Sequence, residues 1–150
     1  MDNELIAKQL KAKEVTPTVI RLLVASVLAS CHEGLSMSDI ERRLQTVDKS
    51  SIFRALTTFQ KHHLVHEIDD GTNQLKYAWC EEGCMCGEDS HAGIKDEHMH
   101  FHCERCGRTF CMSGIAVPEV ALPVGYHVHS ANMVLKGLCP DCIGRYGCKK

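Results

Sequence analysis

The chain lacks an excess of charge of either sign. Its 17 Lys and Arg stand against 19 Asp and Glu, a formal net charge of -2. The balance holds locally: residues 1–79 carry ten basic and ten acidic side chains, residues 80–150 seven and nine. Net charge therefore announces no nucleic-acid partner, and any such claim must rest on local clustering. Long apolar runs are also missing. Leu22 to His32 is far too short to cross a bilayer, which takes about 20 residues, so no membrane role is expected. No hydrophobic signal-peptide core follows the acidic start Met1-Asp2-Asn3-Glu4. The expected location is the cytoplasm, where thiols stay reduced and available to metal.

Cysteine, by contrast, is abundant, at ten residues. Two Cys-x2-Cys pairs stand out, Cys103/Cys106 and Cys139/Cys142. A tight turn inside each pair brings its two sulfurs together, and four thiolates suit tetrahedral zinc. The 32 residues between the pairs exceed the usual zinc-ribbon spacing. Each doubling of a closed loop costs only about 0.6 kcal/mol, whereas a structural zinc contributes on the order of 10 kcal/mol or more. Zinc can therefore clamp two distant segments into one unit. A 150-residue chain, 44% hydrophobic, buries one ordinary core or two small ones, and small ones need such a staple.

Residues 3–13 have helix-forming composition. Thr16-Pro17 then offers an N-cap and a first-turn proline, followed by an apolar face of Ile20, Leu23, Val24, Val27 and Leu28. Ser36 or Ser38 caps a third helix through Leu44, with Ile40 and Leu44 inward. After the turn Gln45-Thr46-Val47, Asp48 caps a fourth helix, Lys49 to about His62, whose buried stripe is Ile52, Ala55, Leu56 and Phe59. This leaves Ser50, Ser51, Arg54, Thr57, Thr58 and Lys61 for solvent or a ligand. Leu64–Ile68, the turn Asp69–Asn73 and Gln74–Trp79 read as a β-hairpin. Helices closed by a hairpin, two of them separated by a three-residue turn, make a winged helix-turn-helix. The helix after the turn is the one that enters a major groove. Arg42, Arg43, Lys49, Arg54 and Lys61 cluster around it and could neutralise phosphates.

From residue 80 to 97 the composition shifts to Cys84, Cys86, His91, glycines and acids without periodicity, a linker. A strand His98–Cys103 follows, with His98, His100 and His102 on one face, and Arg108–Met112 completes a hairpin around the first Cys pair. Residues 113–124, with Pro118 and Pro123, should be irregular. Tyr126–Ser130 and Met133–Lys136 read as short strands, and Cys148 as a spare thiol. The expected class is α+β: an N-terminal winged helix-turn-helix domain (1–79), a linker (80–97) and a small zinc-stapled β-rich domain (98–150).

Lys49-Ser50-Ser51-Ile52-Phe53-Arg54-Ala55-Leu56, the His-x-His of the later strand, Cys-x2-Cys-Gly and a closing Gly-Leu-Cys-Pro-Asp-Cys together resemble the ferric uptake regulator family of metal-dependent repressors. The resemblance runs over nearly the whole chain. It implies a homodimer paired through its C-terminal domains, with two winged helices on a palindromic operator when metal is present. By position it implies structural zinc at Cys103, Cys106, Cys139 and Cys142, and it places Ser51, Phe53 and Arg54 in the recognition-helix segment; with Ser50, Thr58 and Lys61 of the same outward face these are the expected DNA contacts. Phe53 stands where the family usually has tyrosine, which keeps apolar contact with a thymine methyl and loses a hydroxyl. Val19 stands where an arginine is usual, so that contact is either missing or moved to Arg21. The prolines argue against the family's helix between the Cys pairs. The usual regulatory histidine, eight residues before the third cysteine, is Ala131. The zinc-sensing branch of the family implies a second, regulatory divalent-metal site at His66, Cys80, His98 or His100, and Cys111, with zinc favoured by mixed S and N ligands. Cys84, Cys86, His91 and His102 are substitutes for any member.

The leading expectation is thus a zinc-responsive repressor, with no small-molecule substrate and no enzymatic activity. An iron-, manganese- or peroxide-responsive regulator of the same family, or a zinc-binding interaction or metal-buffering module without DNA binding, are the alternatives. A zinc deaminase would need Pro-Cys-x-x-Cys, and this chain has Cys139-Pro140-Asp141-Cys142 instead.

Overall fold

A computed structural model describes residues 2–80, 98–118, 120–128 and 132–144. The expected linker beyond Cys80, with Cys84, Cys86 and His91, lies outside these residues, as do Ala131 and Cys148. Helix α1 (Asn3–Ala12) buries Ile6 and Leu10, one turn apart. Helix α2 (Val19–Ala29) begins two residues later than the Thr16-Pro17 signal indicates. Thr18 caps it by accepting the Arg21 N–H (3.3 Å), while the Arg21 guanidinium donates to Thr16 O (2.9 Å) and holds that carbonyl outside the helix. The apolar face is also rotated from the expected one. Val24, Ala25 and Leu28 enter the core, and Ile20 and Leu23 remain more than a third exposed.

A strand that hydrophobic patterning did not reveal, β1 (Glu33–Ser36), precedes α3 (Met37–Arg43). Ser36 closes a capping box with Asp39, settling the choice between the two serines. Asp48 caps α4 (Lys49–Lys61) through the Ser51 N–H, and Ile52, Ala55, Leu56 and Phe59 are buried as expected. Ser51, placed by periodicity on the outer face, is buried instead, its hydroxyl donating to Asp48 Oδ1 at 2.8 Å. Strands β2 (Val65–Ile68) and β3 (Lys76–Trp79) form the wing, and Trp79 meets Phe59 edge to face at 5.8 Å, tying wing to helices.

After residue 97, β4 (His98–Cys103) pairs antiparallel with β5 (Thr109–Ala116) and parallel with β6 (Val134–Gly137), and the last Cys pair lies just before and within α5 (Pro140–Gly144). Two expectations are corrected here. Residues 113–116 continue β5 rather than turning irregular, because the prolines that stop a strand come only at 118 and 123. Residues 126–128 form no strand, and Gly125 just before them has a positive φ of 98°, a turn conformation. Among the described residues no helix lies between the Cys pairs, and none is long and apolar enough to cross a membrane.

All six strands belong to one sheet, in the order β2-β3-β1-β5-β4-β6. The splice is β1. Its Leu35 and Ser36 pair with Tyr77 and Lys76 of β3, and its Glu33 and Gly34 pair with Phe110 and Thr109 of β5. The space at Gly34 is tight, since a Cβ there would stand 3.0 Å from Ile68 Cδ1 and 3.2 Å from Lys76 Cβ, so a side chain would have to push these neighbours aside.

A buried polar cluster reinforces this junction. Asp70, at the tip of the wing and 1% exposed, accepts from Lys76 Nζ (2.7 Å), from the Thr109 hydroxyl (2.5 Å), and from the backbone N–H (3.1 Å) and hydroxyl (2.5 Å) of Thr72. The Thr109 hydroxyl has one proton, given to Asp70. Its lone pairs therefore take Lys76 Nζ (2.9 Å) and His102 Nδ1 (2.9 Å), which makes Nδ1 the protonated nitrogen of His102. Lys76 also donates to Gly107 O at 2.7 Å, reaching the turn that carries the first Cys pair. Burial pushes the Asp70 carboxyl up, but the hydrogen bonds from Lys76, Thr109 and Thr72 outweigh it and hold its pKa well below the ordinary 3.8. A depressed carboxyl contributes stability that is complete above the ordinary value and fades as pH falls towards the folded one. Asp70→Ala should therefore destabilise the protein by about 3–5 kcal/mol at neutral pH, because it strands a buried lysine. The loss should shrink in strong acid, as read by urea denaturation across a pH series.

Candidate metal centres and nucleic-acid face

The four cysteines of the two pairs converge. Cys103 ends β4, Cys106 sits in the turn after it, Cys139 leads into α5 and Cys142 lies within α5. Gly107, at φ 72°, makes the turn that doubles the chain back into β5. All four sulfurs lie within 4.8 Å of one another, and Cys106 and Cys139 are 3.8 Å apart. Tetrahedral bonds of about 2.3 Å would set neighbouring sulfurs about 3.8 Å apart. The donor set is therefore already at metal spacing. Cys103 and Cys139 are fully buried, Cys142 nearly so, and Cys106 is exposed. Backbone N–H groups of Cys106 and Cys139 lower the Cys103 thiol to about 5, whereas burial drives Cys142 in the opposite direction. A thiol shifted down in this way gives up its proton more readily to an incoming metal, as thiolate ligation requires.

A second group assembles between the wing and the later strands. His66 on β2, His100 on β4 and Cys111 on β5 place their ligand atoms within 4.8 Å of one another. His66 Nε2 and His100 Nε2 are 3.2 Å apart, close to the about 3.3 Å expected of two nitrogens on a tetrahedral zinc. Cys80 lies at the opposite nitrogen, its sulfur 3.3 Å from His66 Nδ1. In this arrangement it orients the ring and leaves Nε2 facing the other two ligands. Of the two histidines offered for the third ligand, His100 joins the group, and the side chain of His98 lies outside the described residues. His102 does not substitute, being committed to Thr109 and Asp70.

The outer face of α4 carries the remaining candidates. Lys49, Ser50, Phe53, Arg54 and Lys61 are exposed and Thr58 is half-buried. Phe53, Arg54, Thr57 and Thr58 line an open groove of about 590 Å³ with Thr18, Ile20 and Arg21 of the α2 start. Ile20, left out of the α2 core, thus reappears in a groove wall. Arg54 NH2 donates to the Ser51 hydroxyl at 3.1 Å, so the buried serine steadies the guanidinium from below. Arg43 is less available than its charge alone indicates, since NH2 lies 3.8 Å from Glu33 and NH1 contacts the Cys31 sulfur.

No family model and no curated protein matches this sequence. Solved structures do match its shape. One is a zinc uptake regulator complexed with zinc and DNA, with 20% identity, 97% of each chain covered and a TM-score of 0.61. Holo XcZur matches with 15% identity over 95% of this chain and 99% of that one, TM-score 0.64. The ferric uptake regulator Fur of Helicobacter pylori, described as having three functional metal binding sites, matches with 18% identity over 95% of each chain, TM-score 0.56. The chain has the ferric uptake regulator fold. Within that fold, four cysteines able to hold a metal lie in the later strands and their following helix, and the winged helix occupies the N-terminal half.

Removing one thiolate from four leaves an open coordination position and a weaker clamp. Cys106→Ser should therefore lose metal to a mild chelator that leaves the wild type loaded. The later strands should melt earlier, as followed by metal content and by thermal denaturation of the same samples.

Proposed function

We propose that the chain is a metal-responsive transcriptional repressor, with zinc as the metal sensed, that acts in the cytoplasm and binds palindromic operator DNA as a homodimer. The observation that carries this reading is the origin of the ligands in the second cluster. His66, with Cys80 behind it, comes from the wing, and His100 and Cys111 come from the β4–β5 pair. A metal there would stiffen the joint between the winged helix (1–79) and the zinc-stapled unit (98–150), and with it the spacing of two recognition helices in a dimer. Two imidazoles and a thiolate favour zinc over iron or manganese. The four cysteines would hold a structural zinc, with no position open for substrate, which fits a regulator better than an enzyme.

Several features support the DNA and dimer parts of the reading. The α4 face offers Ser50, Phe53, Arg54, Thr58 and Lys61, with Ser51 beneath, and a zinc uptake regulator of this fold is known complexed with DNA. Ile115, Val120, Leu122, Tyr126 and Leu135 are large exposed apolar side chains on the later half, surface that self-association would cover.

Two tests follow. Using a duplex selected from a random pool by the zinc-loaded wild type, Arg54→Ala should lose about 1–3 kcal/mol of binding at fixed salt. Equal affinity would overturn the orientation of α4. Second, His100→Ala should lose the second metal and zinc-dependent DNA binding altogether. Cys80→Ala, acting through the His66 ring, should weaken metal affinity by about 10–100-fold. If both variants keep a second zinc and the wild-type response, the bridging site is wrong.

A further inference from the structure

Arg108 reaches from the four-cysteine cluster to β1 of the winged-helix half, and neither the sequence motif nor the fold assigns it a task. Its Nε lies 3.3 Å from Cys106 Sγ and its NH2 lies 3.7 Å from Cys139 Sγ. The same NH2 donates to Asp141 Oδ2 at 2.6 Å, Nε stands 3.7 Å from Glu33 Oε2 on β1, and the guanidinium carbon rests 5.2 Å from the Phe110 ring centre. Asp141, Glu33 and Phe110 thus hold a planar cation on one side of the sulfurs, with its N–H groups aimed at two of them.

A divalent metal on four thiolates carries two net negative charges, concentrated on sulfur. Cys106 is the exposed member of the four and hence the sulfur that an oxidant or electrophile meets first. An N–H donor on a metal-bound thiolate draws on the sulfur lone pair that would otherwise attack, and a permanent positive charge beside it offsets the excess negative charge. Only arginine combines both effects with a fixed fork, since lysine would supply the charge without the directed pair of donors.

We propose that Arg108 is a positioning residue of the four-cysteine centre that shields the exposed Cys106 thiolate, suppressing its reaction with electrophiles and oxidants and so keeping the metal in place. The proposal rests on the reading of the four cysteines as a metal centre. It adds a chemical role for a residue outside the ligand set. Asp141 and Glu33 orient the guanidinium, so the protection depends on β1 staying seated against β5.

The test uses full-length protein loaded with zinc, and separately with cobalt, as wild type, Arg108→Gln, Arg108→Lys and Asp141→Asn. Iodoacetamide alkylates sulfur, forming an S–C bond as iodide leaves. Metal release is followed with a chromogenic chelator, and the modified residue is assigned by peptide mass spectrometry. Arg108→Gln should bind a full complement of metal at the cluster yet be alkylated at Cys106 and release zinc several-fold faster than wild type. Its sulfur-to-cobalt charge-transfer band should move to lower energy, because the sulfur lone pair is no longer held down by N–H donors. Arg108→Lys should fall between the two. Asp141→Asn, which loosens the guanidinium without removing it, should show a smaller shift in the same direction, and it serves where Arg108→Gln fails to fold. Metal-loaded Arg108→Gln, or Asp141→Asn in its place, with the wild-type alkylation rate and cobalt band overturns the role of Arg108 alone. Wild-type protein that takes up no metal at the four cysteines overturns the metal centre and this role together.

Discussion

The carboxylate of Asp70 is taken out of water at the tip of a wing, a place where a charge would ordinarily stay solvated. An isolated buried carboxylate costs several kcal/mol, so it persists only where each lone pair is met. Here the partners come from both halves of the chain: Thr72 and Lys76 from the wing, Thr109 from β5, with His102 of β4 fastened to Thr109. Satisfying one charge thereby fixes where the wing lies against the later strands. Everything at the junction inherits that placement, including the approach of His66 to His100 and the contact of Lys76 with the turn at Gly107.

Two kinds of polar joint therefore lie side by side along the wing. The Asp70 cluster is complete within the protein and holds without any added ion. The His66, His100 and Cys111 group gathers three donors with strong affinity for a soft or borderline cation. A metal at the second joint would thus act on a hinge that is already restrained, changing its stiffness and the fine angle more than its existence. That is a smaller conformational step than an unrestrained joint would allow.

Local chemistry was legible in the sequence. The Asp48 cap, a serine cap at 36 or 38, the α4 stripe, the wing hairpin and the convergence of four cysteines follow from spacing and residue type, because each depends on neighbours within a turn or on a donor set with one good geometry. Features set by distant partners were not. Strand β1 is four residues with a glycine and no alternation, and it is a strand only because β3 and β5 offer it hydrogen bonds. Ile20 and Leu23 have the right period for a core but too little packed over them. Ser51 looks like a surface hydroxyl until Asp48 and Arg54 are seen to enclose it. Asp70 and Lys76 read as turn and wing charges, and nothing in their local spacing announces a buried pair. The second ligand group was found through likeness to a family, since its members are scattered over 46 positions, from 66 to 111.

The double pairing of β1 also bears on how the molecule comes together. Leu35 meets Tyr77 across 42 positions and Glu33 meets Phe110 across 77, so the second contact closes a far longer stretch of chain. Such pairings are slow to find and form late. The helices and wing can condense first around Phe59 and Trp79, leaving the outer edge of β1 as an open template of unpaired backbone groups. Until β5 is presented to it by the folded cysteine turn, that edge is exposed to any extended segment, including the β5 of another copy. Closure of the cysteine turn, which presents β5 to that edge, thus doubles as protection against chain-to-chain pairing.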